Sequence, residues 1–180
     1  MISLICGPMF SGKTTEMIRT VNKYALIGKK CIYLKHSSDT RYEKDELSEV
    51  ITHDGESKRA VACDNISDVI NEDFLEKYDV IGIDEGQFFN DLLSACNKLR
   101  EKNKIVVVSA LSGNFERKMF TPIIELIPNS DKVTFLTAVC LNCGKDAPYN
   151  KFKNKNDQNT TFEPIIGGSE IFESTCNSCW

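Results

Sequence analysis

Ile2-Ser3-Leu4-Ile5-Cys6-Gly7-Pro8-Met9-Phe10-Ser11-Gly12-Lys13-Thr14 sets an apolar run against every element of the pattern G-x-x-x-x-G-K-[ST]. Ile2 to Cys6 reads as a short buried strand. Beyond Thr14, the residues Met17, Ile18, Val21, Tyr24 and Ala25 recur at helical spacing. Strand, glycine loop and helix in that order are what phosphate binding requires. Backbone N–H groups of the loop and the helix N-terminus point at phosphate oxygens. Lys13 supplies a positive charge for the β- and γ-phosphates, and the Thr14 hydroxyl is suited to Mg²⁺. A plain glycine turn between strand and helix would need neither residue. Gly7, Pro8, Met9, Phe10, Ser11, Gly12, Lys13 and Thr14 are therefore the candidate nucleoside triphosphate site.

Working outward, the 180 residues suit one domain, or one domain with a small appendage. A hydrophobic share of 41% and a charged share of 27% are ordinary for a globular chain able to bury a core. The net charge of −4, with no long basic run, lacks the footprint of a nucleic-acid binder. The N-terminus has no signal-peptide pattern, and no apolar stretch reaches membrane-spanning length. A cytoplasmic protein without nucleic-acid or membrane partners is expected.

Up to about Thr137 strands alternate with helices. Cys31–Lys35, Val80–Ile83 and Lys104–Ala110 read as further strands, the last two nearly all apolar, as strands covered on both faces should be. Leu92, Leu93, Cys96 and Leu99 mark one face of a helix between them. The expected fold class is α/β, a mostly parallel sheet with helices on both faces. The polar stretch between Ser37 and Lys58 lacks periodicity and reads as a long loop. From Cys140 onward Asn, Lys, Gly and Thr dominate. This sets a boundary near residue 139, with domains at 1–138 and 139–180.

Ile81-Gly82-Ile83-Asp84-Glu85 is an apolar strand ending in two carboxylates. In phosphate-loop enzymes an acid at such a strand end holds Mg²⁺, which makes Asp84 and Thr14 the candidate magnesium residues. Open α/β sheets bind ligands at the carboxyl ends of their strands. Glu85 sits where it could orient a nucleophile and take its proton. That nucleophile is water in an ATPase and a hydroxyl in a kinase. Acids capping the next helix are the simpler alternative.

Eight cysteines fall into two kinds. Cys6, Cys31, Cys63 and Cys96 lie among apolar neighbours and read as small core residues. Cys140, Cys143, Cys176 and Cys179 form two C-x-x-C pairs, enough thiolates for a closed tetrahedral Zn²⁺ site. Free thiols and disulfides are the alternatives, and paired spacing in a chain without a signal peptide favours metal. Zinc would pin the base of a long loop whose middle stays adaptable. Asn154-Lys155-Asn156-Asp157 has the N-K-x-D form of a guanine-reading loop. It lacks the preceding buried strand that motif needs, and Gln87 breaks the accompanying D-x-x-G.

Taken together these elements resemble one family, the type II thymidine kinases. The resemblance covers nearly the whole chain. It rests on Gly7–Thr14, Asp39-Thr40-Arg41-Tyr42, Thr52-His53-Asp54, the run IGIDEGQFF from Ile81 to Phe89, and Phe115, Arg117, Lys118 and Phe120 in an F-x-R-K-x-F pattern. Leu136 to Cys140, Ile166-Gly167-Gly168 and both cysteine pairs complete it. The resemblance implies a RecA-like domain carrying a zinc-anchored lasso that closes over a thymine base. It implies ATP with Mg²⁺, thymidine as acceptor, and Glu85 as the base that activates the 5′-hydroxyl. Met9, Phe88, Leu111, Phe115 and Phe120 would line the pocket, with Arg41 near the phosphates. Backbone groups around Glu163, Pro164, Ile165, Ile166 and Gly167 would meet the base. A homotetramer and feedback inhibition by dTTP also follow from it. By themselves, Phe88, Phe89, Phe115 and Phe120 read as core packing; only the resemblance moves three of them to a pocket. A phosphate-loop ATPase or helicase fragment would leave the cysteines unexplained, and a zinc-ribbon interaction module would explain only the C-terminal part.

The chain departs from the family pattern at four positions. Asn150 stands where threonine or serine is usual, Phe172 where a tyrosine is usual, and Ser112 and Asn114 also differ. A phenylalanine cannot donate the tyrosine hydroxyl's hydrogen bond, worth roughly 0.5–1.5 kcal/mol. Phe172→Tyr is expected to tighten binding of thymidine, of dTTP or of both. Calorimetric titration of each ligand checks this, and unchanged affinity for both would overturn it.

Overall fold

Three apolar runs form the middle of the sheet. A computed structural model of the chain describes residues 1–39, 49–51, 57–153 and 171–180. Strands β1 (Ile2–Gly7), β5 (Val80–Ile83) and β6 (Ile105–Leu111) are buried almost throughout. Around them lie β2 (Cys31–His36), β3 (Glu49–Ile51), β4 (Ser57–Cys63) and β7 (Lys132–Phe135). The seven-stranded sheet has the order β3-β4-β2-β5-β6-β1-β7. Six strands run parallel, and β3 joins the β4 edge antiparallel.

The two-residue period of a strand divides the core between the faces. Leu4, Ile81, Ile83, Val106 and Val108 pack against α3 (Leu92–Glu101) and α4 (Thr121–Leu126) through Leu92, Cys96, Leu99, Ile123 and Leu126. Their neighbours Ile5, Val80 and Val107 face the other way, onto Met17, Ile18 and Val21 of α1 (Lys13–Ala25). Burying each of those α1 side chains contributes about 1.5–3 kcal/mol, and this docking carries the helix more than its intrinsic propensity does. The short helix α2 (Glu72–Lys77) is held at its start by Asn71, whose Oδ1 accepts from the Phe74 N–H at 2.9 Å. Among the described residues no helix is long and apolar enough to cross a membrane.

The expectation of helices on both faces of a parallel sheet agrees with this architecture. The stretch read as loop is partly strand: Glu49–Ile51 pairs with Ser57–Arg59, and Val50 is buried. Three residues are too few for alternation to register, and the pairing that orders them comes from β4. Strand β4 itself begins Ser57-Lys58-Arg59, which hides it from an apolar-run search. Cys6, Cys63 and Cys96 are core residues, and burial pushes their thiols up to about 11, 11 and 12. Cys31 is only half-buried at the start of β2, its thiol against the Val21 and Lys29 carbonyls.

After β7 the chain forms two small antiparallel pairs. Strand β8 (Ala138–Val139) pairs with β9 (Asp146–Ala147), and β10 (Tyr149–Phe152) with β11 (Phe172–Thr175).

Gly82 sits in β5 on the α1 face, where a Cβ would come within 2.7 Å of the Tyr33 ring and 3.4 Å of Val21. Both neighbours belong to the packed core. Gly82→Ala is expected to lower stability by about 1–3 kcal/mol through overpacking. Urea unfolding of the two proteins measures it.

Candidate active site

The candidate residues gather at the carboxyl edge of the parallel strands, as an open α/β sheet dictates. The glycine loop expected to hold phosphate leaves β1 at Gly7 and enters α1 at Lys13. Gly12 is left-handed, φ 78°, and caps the helix without a side chain, leaving the first N–H groups of α1 to face the loop. Phe10 is also left-handed at φ 63°, a conformation that costs a non-glycine residue about 1–3 kcal/mol. Lys13 is buried, and its ammonium donates to the Pro8 carbonyl at 2.7 Å. Ser11 Oγ donates to the same carbonyl at 2.8 Å. The loop is thus tied to itself around Pro8.

Asp84 and Glu85 follow β5 directly. Thr14 Oγ1 donates to Asp84 Oδ1 at 3.1 Å, and Ser109 Oγ of β6 donates to the same oxygen. The Asp84 N–H donates to Leu34 O of β2 at 2.9 Å. Glu85 has φ 51° and ψ 48°, a strained left-handed turn immediately beside the aspartate. Its buried carboxylate accepts from Gln87 Nε2 at 2.5 Å, and Gln87 Oε1 accepts from the Leu111 N–H at 3.0 Å. Gln87 therefore fixes the glutamate relative to the end of β6. Sequence reasoning gave no role to Ser109 or to Gln87. Ser109 was visible only as the single hydroxyl in the run Ile105–Leu111.

Beside the loop lies an aromatic cluster. Met9, Phe152 and Phe172 are buried together, with Phe10, Leu111, Phe115 and Ile171 packed on them. The Phe115 and Phe152 rings are 4.4 Å apart, and Phe152 and Phe172, opposite each other across β10 and β11, stack at 4.8 Å. Of the expected pocket residues, Met9, Leu111 and Phe115 come together with Phe172, and Phe152 joins them. Phe120, at the start of α4, is partly buried and packs on the α3 and α4 side of the core. Phe88 meets His36, with ring centroids 5.8 Å apart. Arg41 and residues 163–167, like the N-K-x-D run at 154–157, lie outside the described residues.

The four paired cysteines converge. Cys140 and Cys143 come from the β8–β9 connection and Cys176 and Cys179 from the turn after β11, and all four Sγ atoms lie within 4.8 Å of one another. A tetrahedron of 2.3 Å metal–sulfur bonds has edges of about 3.8 Å, so the group is the right size for one metal ion. The hydrogen bond from the Cys176 backbone leads in pulling the Cys140 thiol down to about 6. Hydrogen bonds with Cys143 and Cys176 push Cys179 up to about 12. Four thiols this close share protons, and a metal ion would replace them.

A family model described as thymidine kinase matches residues 1–180. The chain is 42% identical over 179 residues to the thymidine kinase of Vaccinia virus (strain Western Reserve), covering 99% of this chain and 96% of that one. It is 44% identical over 179 residues to the thymidine kinase of Myxoma virus (strain Lausanne), covering 99% and 95%. The chain belongs to the thymidine kinase family.

In this family member, contacts between distant segments tie the loop after β6 to the C-terminal strands. The Arg117 guanidinium lies between the Tyr149 and Trp180 rings, 4.0 Å from each centroid, and donates to Asn177 Oδ1 at 3.0 Å. Asn114 Oδ1 accepts from the Glu116 and Lys118 N–H groups, both at 2.9 Å, and so shapes the turn that presents Arg117. Asn150 Oδ1 accepts from the Met9 N–H at 2.8 Å, and its Nδ2 donates to Gly113 O at 3.0 Å.

Proposed function

We propose that this chain transfers the γ-phosphoryl group of ATP to the 5′-hydroxyl of thymidine, giving dTMP and ADP, with Glu85 as general base. Membership of the thymidine kinase family supports the reaction. The observation that carries the mechanism is the meeting, at one edge of the sheet, of a phosphate loop, the Thr14–Asp84 pair and the buried Glu85. A 5′-hydroxyl is a poor nucleophile, and Glu85 would take its proton as the O5′–Pγ bond forms and the bond to the leaving ADP oxygen breaks. Lys13 would leave Pro8 O for the phosphates. Thr14 and Asp84 would hold Mg²⁺, which when bound neutralises phosphate charge. The flat base suits a cluster of aromatic and apolar side chains, with Met9, Leu111, Phe115 and Phe172 as its lining.

On this reading residues 1–138 form a RecA-like nucleotide-binding domain and residues 139–180 a lasso. Cys140, Cys143, Cys176 and Cys179 would hold a structural Zn²⁺, since four sulfur ligands leave no position open to substrate. Arg41 and the backbone of residues 163–167 would complete the site. A cytoplasmic homotetramer inhibited by dTTP is the assembly and regulation this reading carries.

ATP turnover with a panel of nucleosides tests the assignment. Turnover should require thymidine, and Glu85→Gln should lower kcat by about 10²–10⁴-fold with ATP affinity nearly unchanged. Turnover independent of nucleoside overturns the kinase reading, and an active Glu85→Gln removes the base. Chelation, with metal loss verified by elemental analysis, should impair thymidine use and raise amide exchange in residues 139–153 before the parallel sheet unfolds. Unchanged exchange and activity after metal loss would end the structural-zinc assignment.

A further inference from the structure

Asn150 is a buried polar residue that the reaction just proposed does not use. It lies on β10, 4% exposed, with Phe152 two residues on along the same strand face. Its carboxamide reaches two backbone groups from different parts of the chain. One is the Met9 N–H inside the phosphate loop, and the other is the Gly113 carbonyl in the loop after β6. The two contacts fix the amide's orientation. Flipping it would face donor to donor at Met9 and acceptor to acceptor at Gly113. The strand opposite offers no substitute, because Ser174, its register partner, spends its hydroxyl on the Val139 carbonyl.

These contacts have a consequence for the site. The Met9 N–H is held by a side chain, so it is not among the loop amides turned to a phosphate. The Met9 thioether, at the next bonds along, sits in the cluster with Phe152 and Phe172. Gly113 lies two residues before Phe115, whose ring packs on Phe152. One carboxamide therefore sets the spacing between the phosphate loop and the loop carrying an aromatic wall.

We propose that Asn150 is a positioning residue for phosphoryl transfer: by bridging Met9 N–H and Gly113 C=O it holds the triphosphate loop and the acceptor pocket in one register. This deepens the kinase reading above and rests on it. Asn150 touches no reacting atom; it acts through the Met9 backbone and the Gly113 loop. Because β10 pairs with β11, which leads into Cys176 and Cys179, the same residue connects the cysteine cluster to the phosphate loop.

The test combines amide hydrogen exchange at Met9 with kinetics of the full chain, comparing wild type, Asn150→Ala and Asn150→Asp. Asn150→Ala should speed Met9 exchange about tenfold or more and lower kcat/KM for both ATP and thymidine about tenfold, with exchange in β5 and β6 unchanged. A tenfold change corresponds to about 1.4 kcal/mol, the scale of one buried backbone hydrogen bond. Asn150→Asp keeps the acceptor and should keep Met9 protected, which serves if the alanine variant does not fold. Wild-type kinetics per folded molecule in Asn150→Ala, or Met9 exchange in Asn150→Asp as fast as in unbonded loop amides, overturns the proposal. So does a loss of activity that only follows accelerated exchange across the whole sheet. The exchange arm needs no substrate, so a wild-type chain that ignores thymidine would sink the kinase reading and leave this measurement standing.

Discussion

The Asp84 carboxylate accepts from Thr14 at the start of α1 and from Ser109 in β6, while its own N–H binds β2. The carboxyl ends of three neighbouring strands and the start of α1 are thus fixed to one another through one residue. A parallel sheet with both faces covered can expose functional groups only at its strand ends and connecting loops, so whatever aligns those ends also aligns the site. The strain at Glu85 and Phe10 is held in place by this frame. Left-handed turns at non-glycine residues persist only where their surroundings over-determine them, and both residues lie next to fixed points.

A second layer of contacts works from outside the sheet. The Arg117 contacts with Tyr149 and Trp180, the Asn114 turn and the Asn150 bridge tie the loop after β6 to β10 and to the C-terminal turn that holds Cys176 and Cys179. None of these ties is an apolar core contact of the kind that stabilises the sheet. They are a few directional interactions, each worth about 1 kcal/mol. Such a connection is stiff in geometry yet small in energy. That suits a segment proposed to admit and release a nucleoside while the α/β core stays intact.

The departures at Asn150 and Phe172 belong to this layer. Asn150 separates donor and acceptor onto two atoms and so serves two backbone partners at once. Phe172 stacks on Phe152 and adds an apolar ring to the cluster around Met9, where a tyrosine hydroxyl would need a hydrogen-bond partner.

The glycine loop between strand and helix, the strand-end acids, the paired cysteines and the alternation of strands with helices were all legible in the chain. Each is a local pattern, complete within a few residues and set by period or spacing. Strand β4 was not legible, because its opening charged residues hide it and the neighbouring strands order it. Nor were the partners of the site residues legible. Thr14 and Asp84 are 70 positions apart, Arg117 and Asn177 are 60 apart, and Met9 and Asn150 are 141 apart. Which chemical groups this protein carries, and on which elements, is thus written in the order of its residues. That Ser109 and Gln87 orient the two acids, and that Asn150 bridges two loops, emerges once the chain is folded. A hydrogen bond is specified by where donor and acceptor finish in space, and spacing along the chain carries no record of that.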